Sequence, residues 1–400
     1  MSNVVKLKHL EHIEDEMLNY GTEGCEAAVR FMQELTKMLG GASSAGFLQT
    51  KWDGAPSVVC GVDPDSGEFF VGNKSVFNKE EPKMCFEEED IEYYYSDKPG
   101  LAEKLSASLK YFSKLDIKGV IQGDLMFTEG DKKLETVDGE KLITFRANTI
   151  TYGIPVNHEL GKAVAKAKIG VVFHTHYTGD DLQSMQALAG AKVKGSTETL
   201  VVNNDTPMHK VGLNHAEEMK FDTYVKDIEK MCKTCGDFLD ELVGASGTKG
   251  DAKFHISSYL KQFFNNEIKN ARSITDVDKA LIELGNFYHA KMSKELAKIK
   301  TADNLVKKRN LVYNSENYLV YNSSKFKSML SLYKELQEVK QMVIDKLDHL
   351  EEFRTFVQTE KGYKVTTPEG YVLHKDGDMI KFVNRLEFAY NNFTLQKQWR

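Results

Sequence analysis

The spacing of apolar residues predicts a mixed α/β arrangement in the first half of the chain. Residues 5–40 carry apolar side chains at intervals of three and four and end in a Gly-Gly pair, which predicts two helices. From Phe47 to Phe77, short β-rich runs separated by DGAP and DPDSG predict a strand meander. A helix is predicted at 101–115. Further strands are predicted in GVIQGDLMFT, LITFRANTITYGI and KIGVVFHTHYTG.

A long helical block follows this mixed part. After about residue 215, apolar residues recur every three to four positions, with Lys and Glu between them. Strands resume at Gly362, with KDGD as a hairpin turn between two β-rich runs. The pattern predicts an α+β protein with an inserted all-α block. The predicted divisions are 1–45 (N-terminal helices), 46–205 (first part of the β-rich domain), 206–361 (inserted helical domain) and 362–400 (final strands).

Composition predicts a soluble protein of the cytoplasm that does not enter a membrane. The chain is 41% hydrophobic and 28% charged, and no stretch approaches the roughly 20 consecutive apolar residues of a membrane span. The first residues turn acidic before any apolar run of signal-peptide length. Five cysteines at irregular spacing do not form a disulfide framework and suit a reducing compartment.

The charge balance restricts the choice of partner. A formal net charge of −6 argues against a protein that coats nucleic acid non-specifically, because such binding requires Lys and Arg to neutralise phosphates. It leaves room for a local basic strip, which the charge of the whole chain does not reveal. In the helical block, KKRN at 307–310 and Tyr313, Tyr318, Tyr321 and Tyr333 suit base stacking and backbone contact. They suit an ordinary helical surface equally well.

The tetrapeptide Lys51-Trp52-Asp53-Gly54 is the first candidate for chemistry. It lies between the apolar runs GFLQT and PSVVCGV, which places a lysine at the end of a strand beside a carboxylate and a glycine that permits a tight turn. A lysine that attacks phosphorus must be neutral, so its ordinary pKa of about 10.4 must be lowered by burial or nearby cations. Because K-x-D-G also occurs by chance, the segments that follow decide its meaning.

The order of these segments resembles the covalent nucleotidyltransferase superfamily, which contains ATP-dependent RNA and DNA ligases and capping guanylyltransferases. KWDG resembles motif I of that superfamily, in which the lysine takes the nucleotide. The resemblance implies that Lys51 is the catalytic nucleophile. It also implies nucleotide contacts by its neighbours Gln49, Thr50, Asp53 and Gly54.

Three further segments resemble later motifs in the same order. FFVGNKSVF resembles the strand after motif I in RNA ligases, which implies that Lys74 and Ser75 hold phosphate. GVIQGDLMF resembles motif III and implies that Asp124 contacts the ribose, where the family more often has glutamate. KIGVVFHTHY is similar to motif IIIa and implies that Phe173 stacks on adenine.

The last β-rich runs, PEGYVLHKDGDMIKFVNR, resemble motifs IV and V. They imply that Glu369 acts at the metal and the phosphate and that Lys381 contacts the α-phosphate. The family often has K-x-K in motif V, whereas this chain reads KFV, so the second cation is missing or supplied by Arg385 or Lys375. The chain leaves no room after motif V for the oligonucleotide-binding fold of DNA ligases and capping enzymes. This favours an RNA-ligase-like protein.

Together the motifs imply a nucleotidyltransferase (ligase adenylation) domain of antiparallel sheets with helices. They imply ATP as substrate, Mg²⁺ held by Glu369 and Asp124, and a lysyl-AMP on Lys51. The expected activity is ligation of nucleic-acid ends, RNA in preference to DNA, as in similar RNA-ligase-like proteins of large bacteriophages, which would act in the host cytoplasm. Two alternatives stay open. One is a capping-type enzyme or protein AMP-transferase, and the other is a degenerate assembly protein that meets a protein partner through its helical block.

Other candidate residues have structural explanations. The C-x-x-C pair at 232–235 is predicted to be structural rather than a redox or metal pair. His174 and His176, two apart on a predicted strand, should point to one face and line a pocket rather than bind a metal. The acidic run 87–90 and the tyrosines at 93–95 are predicted to form a solvated loop with buried aromatic rings.

Overall fold

The computed structural model describes residues 11–41, 46–202, 212–245, 250–348, 354–359, 362–366, 369–375 and 378–386. These residues form helices and three β-sheets in an α+β arrangement. The helices are α1 Glu16–Leu39, α2 Glu88–Tyr95, α3 Pro99–Phe112, α4 Glu159–Lys166, α5 His215–Gly244, α6 Ala252–Lys269, α7 Val277–Leu296, α8 Ala302–Tyr321 and α9 Ser323–Leu347. The strands are β1 Phe47–Lys51, β2 Ser57–Val62, β3 Phe69–Gly72, β4 Val120–Thr128, β5 Lys133–Val137, β6 Glu140–Arg146, β7 Thr151–Pro155, β8 Ile169–Thr178, β9 Gln186–Ala189, β10 Thr199–Val201, β11 Arg354–Thr359, β12 Gly362–Val365, β13 Gly370–Lys375 and β14 Asp378–Phe382.

The helical periodicity after residue 215 corresponds to α5–α9. Helix α5 begins at a capping box, in which the Asn214 side chain accepts from the Glu217 N–H and the Glu217 carboxylate accepts from the Asn214 N–H. These helices and α1 enclose the largest hydrophobic core of the described residues. The apolar stripes of the helices therefore face one another, as their spacing predicts.

Strands β1, β13 and β14 form an antiparallel sheet with β13 in the centre. Leu48, Leu373 and Ile380 on one face of this sheet belong to the helical core. Because side chains alternate along a strand, Gln49 and Lys51 lie on the other face. Lys381 pairs with Val372, which pairs with Gln49, so the Lys381 side chain shares that second face.

The second sheet has the order β10-β8-β4-β2-β3, with β9 paired to the far end of β8. Helix α3 covers one face, where the rings of Phe112 and Phe173 meet edge to face with centroids 5.4 Å apart. Asp124 of β4 pairs with Ser57 of β2 and Val172 of β8. The side chains of these three residues therefore share the opposite face, away from α3.

The third sheet has the order β12-β11-β7-β6-β5, so it joins strands from both ends of the chain. Strand β11 pairs with β7 and falls inside the range 206–361 that the sequence assigns to the helical block. The described helices end at Leu347, and the strands resume at Arg354 rather than at Gly362. The helical block is therefore shorter than predicted.

One local prediction is confirmed and two need correction. The two helices predicted at 5–40 appear over the described part as the two segments of α1, which are separated by a kink at Gly21 (φ 59°), while residues 5–10 lie outside the described residues. The predicted meander is wrong, because β1 pairs with β13 whereas β2 and β3 pair in the second sheet. The acidic run at 87–90 is not a loop, since it leads into α2 through a capping box. The predicted KDGD turn includes residues 376 and 377, which lie outside the described residues, but β13 and β14 do pair antiparallel.

The helices of the described residues do not include a membrane-crossing segment. None of the helices there is both long enough and apolar enough to cross a bilayer.

Candidate active site

The antiparallel pairing of β1 with β13 brings the first and last motifs of the chain together. Lys51 ends β1 opposite Gly370, which begins β13. Glu369 immediately precedes β13, and its Oε1 lies 2.5 Å from Lys51 Nζ. The Lys51 side chain remains 27% exposed. The site therefore contains a partly exposed lysine that is paired with a buried carboxylate.

Gly370 is required where β13 and β14 approach each other. Its φ is 138°, a conformation that residues with a side chain rarely adopt, and an added Cβ would lie 2.2 Å from the carbonyl oxygen of Phe382. The glycine thus allows β14 to pair directly with β13 and to present Lys381 on the Lys51 face. This explains physically why a glycine follows Glu369.

Asp53 anchors the loop that follows Lys51. Its carboxylate accepts hydrogen bonds from Asn148 Nδ2 at 2.8 Å, from the Thr149 N–H at 2.7 Å and from the Ile150 N–H at 2.8 Å. The Asp53 N–H donates to the Tyr152 hydroxyl at 2.7 Å. These bonds occupy Asp53 within the protein, so the structure gives it a positioning role in place of the predicted nucleotide contact.

Gly54 brings this loop against β4. An added Cβ at Gly54 would lie 2.8 Å from Asp124 Cβ and 2.9 Å from the Leu125 carbonyl oxygen. The next residue, Ala55, donates its N–H to that same carbonyl at 2.8 Å. Gly54 is thus a close-packing position that places the Lys51 loop beside Asp124.

Three groups determine the charge state of Lys51. Burial alone would lower the pKa of Lys51, but the carboxylates of Glu369, Asp124 and Asp53 raise it above its ordinary value. The sequence-based expectation of a lowered pKa is therefore wrong. The amine is protonated and ion-paired, so it must lose a proton before it can act as a nucleophile.

Glu369 is suited to accept that proton. Burial raises its pKa to about 7, even though the Lys51 ammonium favours the ionised form and Asp53 opposes it. Burial also lowers the pKa of Lys381, and the positive charge of Lys51 adds to that shift. A carboxyl group poised near neutrality and two neighbouring amines of perturbed pKa are typical of sites that transfer protons.

Asp124 provides a second carboxylate on this face. Burial would raise its pKa, but His174 and Lys51 together lower it below its ordinary value. His174 Nε2 lies 3.5 Å from Asp124 Oδ2. Asp124 is thus ionised near neutral pH and available to bind a cation.

Lys51, Glu369, Asp124 and Lys381 together form the site cluster. Not every predicted site residue reaches this cluster. Phe173 is 2% exposed and points away from Asp124, onto Phe112 of α3. Lys74 is exposed at the start of a short 3-10 helix, Lys74–Phe77, and no described contact connects it to Lys51. Thr50 faces the helical core side of β1, opposite to Lys51. The structure therefore supports neither adenine stacking by Phe173 nor a place for Lys74 in the cluster.

The two residues considered as a second motif V cation are engaged elsewhere. Arg385 Nη1 bonds Asp15 Oδ1 at 3.1 Å and the Tyr333 hydroxyl at 2.9 Å. Lys375 forms an ion pair with Glu34 of α1. Of the three candidates for a motif V cation, Lys381 is the one that the described structure brings to the Lys51 face.

His174 is a further residue that sequence reasoning placed incorrectly. The register between β4 and β8 shifts at this position, so His174 and His176 do not share one environment as strict alternation predicts. His174 faces Asp124, whereas His176 Nδ1 lies 2.6 Å from the Gly190 carbonyl oxygen. A strand alternation pattern contains no signal for such a bulge.

A large cleft lies between β1 and β8. Its volume is about 1390 Å³, and its lining includes Phe47 and Gln49 of β1 together with Phe173 and His176 of β8. Gln49 lies two positions before Lys51 on the same face of β1. Gln49 connects the cleft to the strand that carries Lys51, but Lys51, Glu369, Asp124 and Lys381 are not among the residues that line it.

The carboxylates fit a magnesium ion that is bound mainly through substrate phosphates. The described residues contain no group of three or more metal-ligating side chains. Mg²⁺ commonly uses only one or two carboxylates and completes its shell with phosphates and water. Asp124 meets that requirement, and Glu369 does so when it is released from Lys51.

The C-x-x-C pair lies in α5 and is buried. Cys232 and Cys235 pack in the helical core with Cys25 of α1, and all three are free thiols. Burial raises the pKa of Cys235 to about 11, so its reactive thiolate form is disfavoured. Their burial agrees with the predicted structural role.

The chain belongs to a family of unknown function (DUF6267), which it matches over residues 3–397. No curated protein and no solved structure matches it.

Proposed function

We propose that the protein is an ATP-dependent polynucleotide ligase of the covalent nucleotidyltransferase type, acting on RNA ends in preference to DNA ends. The observation that carries the proposal is the 2.5 Å ion pair between Lys51 and Glu369. It joins the residues that resemble the nucleophile of motif I and the acid of motif IV. Lys381, which resembles the motif V cation, projects from the same face of the sheet.

In the first step, Lys51 Nζ forms a bond to the α-phosphorus of ATP. The bond between that phosphorus and the oxygen bridging to the β-phosphate breaks, and pyrophosphate leaves. The proton lost by the amine passes to Glu369, whose Oε1 is within hydrogen-bonding distance and whose pKa is about 7. The product is AMP joined to Lys51 through a phosphorus–nitrogen bond.

Two further groups of the site offset negative charge in this step. Lys381 supplies a cation on the Lys51 face, and its pKa is lowered first by burial and then by the charge of Lys51. Asp124 and the phosphates would hold Mg²⁺ while Glu369 is paired with Lys51. The ion would neutralise charge on the leaving pyrophosphate. The protein itself therefore orients the lysine, accepts its proton and provides one fixed positive charge.

The second and third steps transfer AMP to a 5′-phosphate and then release it. The oxygen of a 5′-phosphate attacks the phosphorus of the lysyl-AMP and breaks the phosphorus–nitrogen bond, and Lys51 regains a proton. A 3′-hydroxyl then attacks the activated 5′-phosphate, and AMP leaves as the new phosphodiester forms. The resemblance of FFVGNKSVF to the segment that follows motif I in RNA ligases supports RNA ends as the substrate.

Two other functions use the same residues differently. A capping-type enzyme would take GTP, and a protein AMP-transferase would pass AMP to a protein side chain. A degenerate assembly protein would form no covalent intermediate. Buried polar contacts support a catalytic site over a degenerate one, because a fold kept for shape alone has no need of a lysine paired with a buried carboxylate.

The proposal predicts that protein labelled with AMP on Lys51 will seal a nicked RNA duplex. We expect label to leave the protein and a sealed strand to appear when the nick carries a 5′-phosphate, with slower sealing of the matched DNA nick. The measurement is a denaturing gel that follows the protein label and the nucleic acid together. A nick with a 5′-hydroxyl is the matched control and should leave the label on the protein.

The outcomes separate the candidates. Label that only GTP supplies would support a capping-type enzyme, and label that moves to a protein would support an AMP-transferase. Label that remains on Lys51 with every phosphorylated end would contradict ligation.

A further inference from the structure

The end of α7, the start of α8 and the connection between them carry a concentration of positive charge in an otherwise acidic chain. Residues 289–313 contain six lysines and one arginine but two carboxylates, whereas the whole chain has a formal net charge of −6. Six of these basic residues are exposed: Lys291, Lys294, Lys298, Lys300, Lys307 and Arg309. We call these six residues the basic tip.

The residues of the basic tip come from the end of α7, the start of α8 and the connection between them, which lie at the same end of this helix pair. Helices α7 and α8 are joined by residues 297–301, so the end of α7 and the start of α8 are adjacent. An ion pair between Lys308 Nζ and Glu295 Oε2, at 2.7 Å, joins α8 to α7 near this end. Farther along the pair, His289 Nδ1 lies 2.9 Å from Glu316 Oε1.

The nearby carboxylates do not neutralise the basic tip. Glu295 already binds Lys308 and accepts a hydrogen bond from the Tyr259 hydroxyl at 2.5 Å. Asp303 lies in the first turn of α8, where a carboxylate is favoured by the helix dipole. Within the described part of the chain, none of the six basic residues forms an ion pair. Their charges are therefore directed to solvent.

An aromatic ring and an amide lie beside these charges. Tyr313 is 66% exposed and follows Arg309 by four positions, which places both on one face of α8. Asn310 is also exposed and lies three positions before Tyr313. Phosphate-binding cations next to an exposed aromatic ring are the combination that proteins use to bind single-stranded nucleic acid.

We propose that the basic tip, with Tyr313, binds the backbone of a single-stranded RNA and stacks on one of its bases. An anionic membrane or an acidic protein would need the lysines alone, and the exposed ring beside them favours a polynucleotide. This proposal rests on the proposed function for its purpose, because a ligase must hold the strand whose end it seals. Binding itself requires neither ATP nor Lys51.

The test compares RNA binding by the full chain and by a variant of the basic tip. The probe is a labelled single-stranded RNA of about 20 nucleotides, longer than one binding site of this kind. We expect the triple variant Lys298→Ala, Lys307→Ala, Arg309→Ala to weaken binding at least about tenfold. The slope of log affinity against log salt should fall by about 2, since each lost phosphate contact removes about 0.7. The measurement is fluorescence anisotropy at several salt concentrations.

Two further variants make the result specific. Tyr313→Ala should weaken binding and leave the salt slope unchanged, because stacking releases no counterions. The matched control is Lys226→Ala, Lys230→Ala, which removes two exposed lysines of α5 and should bind RNA as the wild type does. The triple variant should still take AMP on Lys51.

Other results would overturn the proposal. Unchanged RNA affinity in the triple variant would do so, as would wild-type protein that binds vesicles containing anionic lipid but not RNA. Failure of the wild type to take AMP, with RNA binding still lost in the triple variant, would refute the proposed function and leave this surface in place.

Discussion

Replacing Glu369 with glutamine is expected to slow the formation of lysyl-AMP by about 100- to 10,000-fold. Glu369 is the carboxylate that lies 2.5 Å from the Lys51 amine, and glutamine has nearly the same shape but cannot accept the proton. The rate of label transfer from ATP to protein, measured under single-turnover conditions, gives the effect. Glu229→Gln is the matched control, because Glu229 pairs with Lys233 on the surface of α5 and should show the wild-type rate.

The dependence of this rate on pH identifies the role of Glu369. Its pKa of about 7 means that it is protonated and unable to accept a proton below that pH. The wild-type rate should therefore rise tenfold per pH unit up to about pH 7 and then level off. In Glu369→Gln the proton must leave Lys51 for water, so the rate should keep rising with pH until the amine itself is neutral. A variant with the wild-type rate and plateau would contradict a proton-accepting role.

The second large effect is expected at the buried ion pair that joins α9 to the start of the described chain. Lys340 Nζ lies 2.5 Å from Glu14 Oε1, and the two side chains are 3% and 0% exposed. Lys340→Met keeps the volume of the side chain but leaves the Glu14 carboxylate buried with Arg385 at 3.5 Å as its remaining cation. We expect a loss of about 3 kcal/mol in the free energy of unfolding, the lower end of the range for breaking a buried pair. Urea denaturation measures it.

A surface pair on the same helix provides the control for Lys340. Lys334→Met removes a cation that lies 3.2 Å from Glu338 and is partly exposed, so it should cost less than about 1 kcal/mol. Adding Glu14→Gln to Lys340→Met should recover part of the loss, because no unpaired buried charge remains. Equal losses in the two single variants would show that the buried pair has no special importance.

The contribution of the Lys340–Glu14 pair to the free energy of unfolding depends on pH in a defined direction. Burial would raise the pKa of Glu14, but Lys340 and Arg385 lower it below its ordinary value of 4.5. A carboxylate of depressed pKa contributes stability that is fully present above the unfolded pKa and is lost as pH falls through the folded pKa. The wild type should therefore lose this contribution below about pH 4.5. The difference between the wild type and Lys340→Met should shrink in that range.

The sequence predicted the type of most elements and the members of the central cluster. Apolar spacing was sufficient for α5–α9, since each helix has its own periodic stripe. The motif order was sufficient to single out Lys51, Glu369 and Lys381, which the pairing of β1 with β13 and β14 brings to one face. No periodicity shows that β1 pairs with a strand more than 300 residues later, so the meander was predicted instead.

Roles that depend on the tertiary partners of a side chain could not be predicted from the sequence. Asp53 and Arg385 both looked available to a ligand, but each is committed to partners from distant segments. The alternation of β8 gives no information about which face meets the site, so Phe173 was assigned to the nucleotide although it packs on α3. The bulge that aims His174 at Asp124 has no signature in the residue pattern.

The most direct test of the central claim is to find where the protein carries AMP. Purified protein, first freed of any AMP retained from expression, is incubated with Mg²⁺ and ATP labelled on the α-phosphate, and the labelled peptide is sequenced by mass spectrometry. We expect label on Lys51 in the wild type and in Lys226→Ala, and none in Lys51→Ala. A protein that takes no label from ATP or GTP, or that keeps its label in Lys51→Ala, would contradict it.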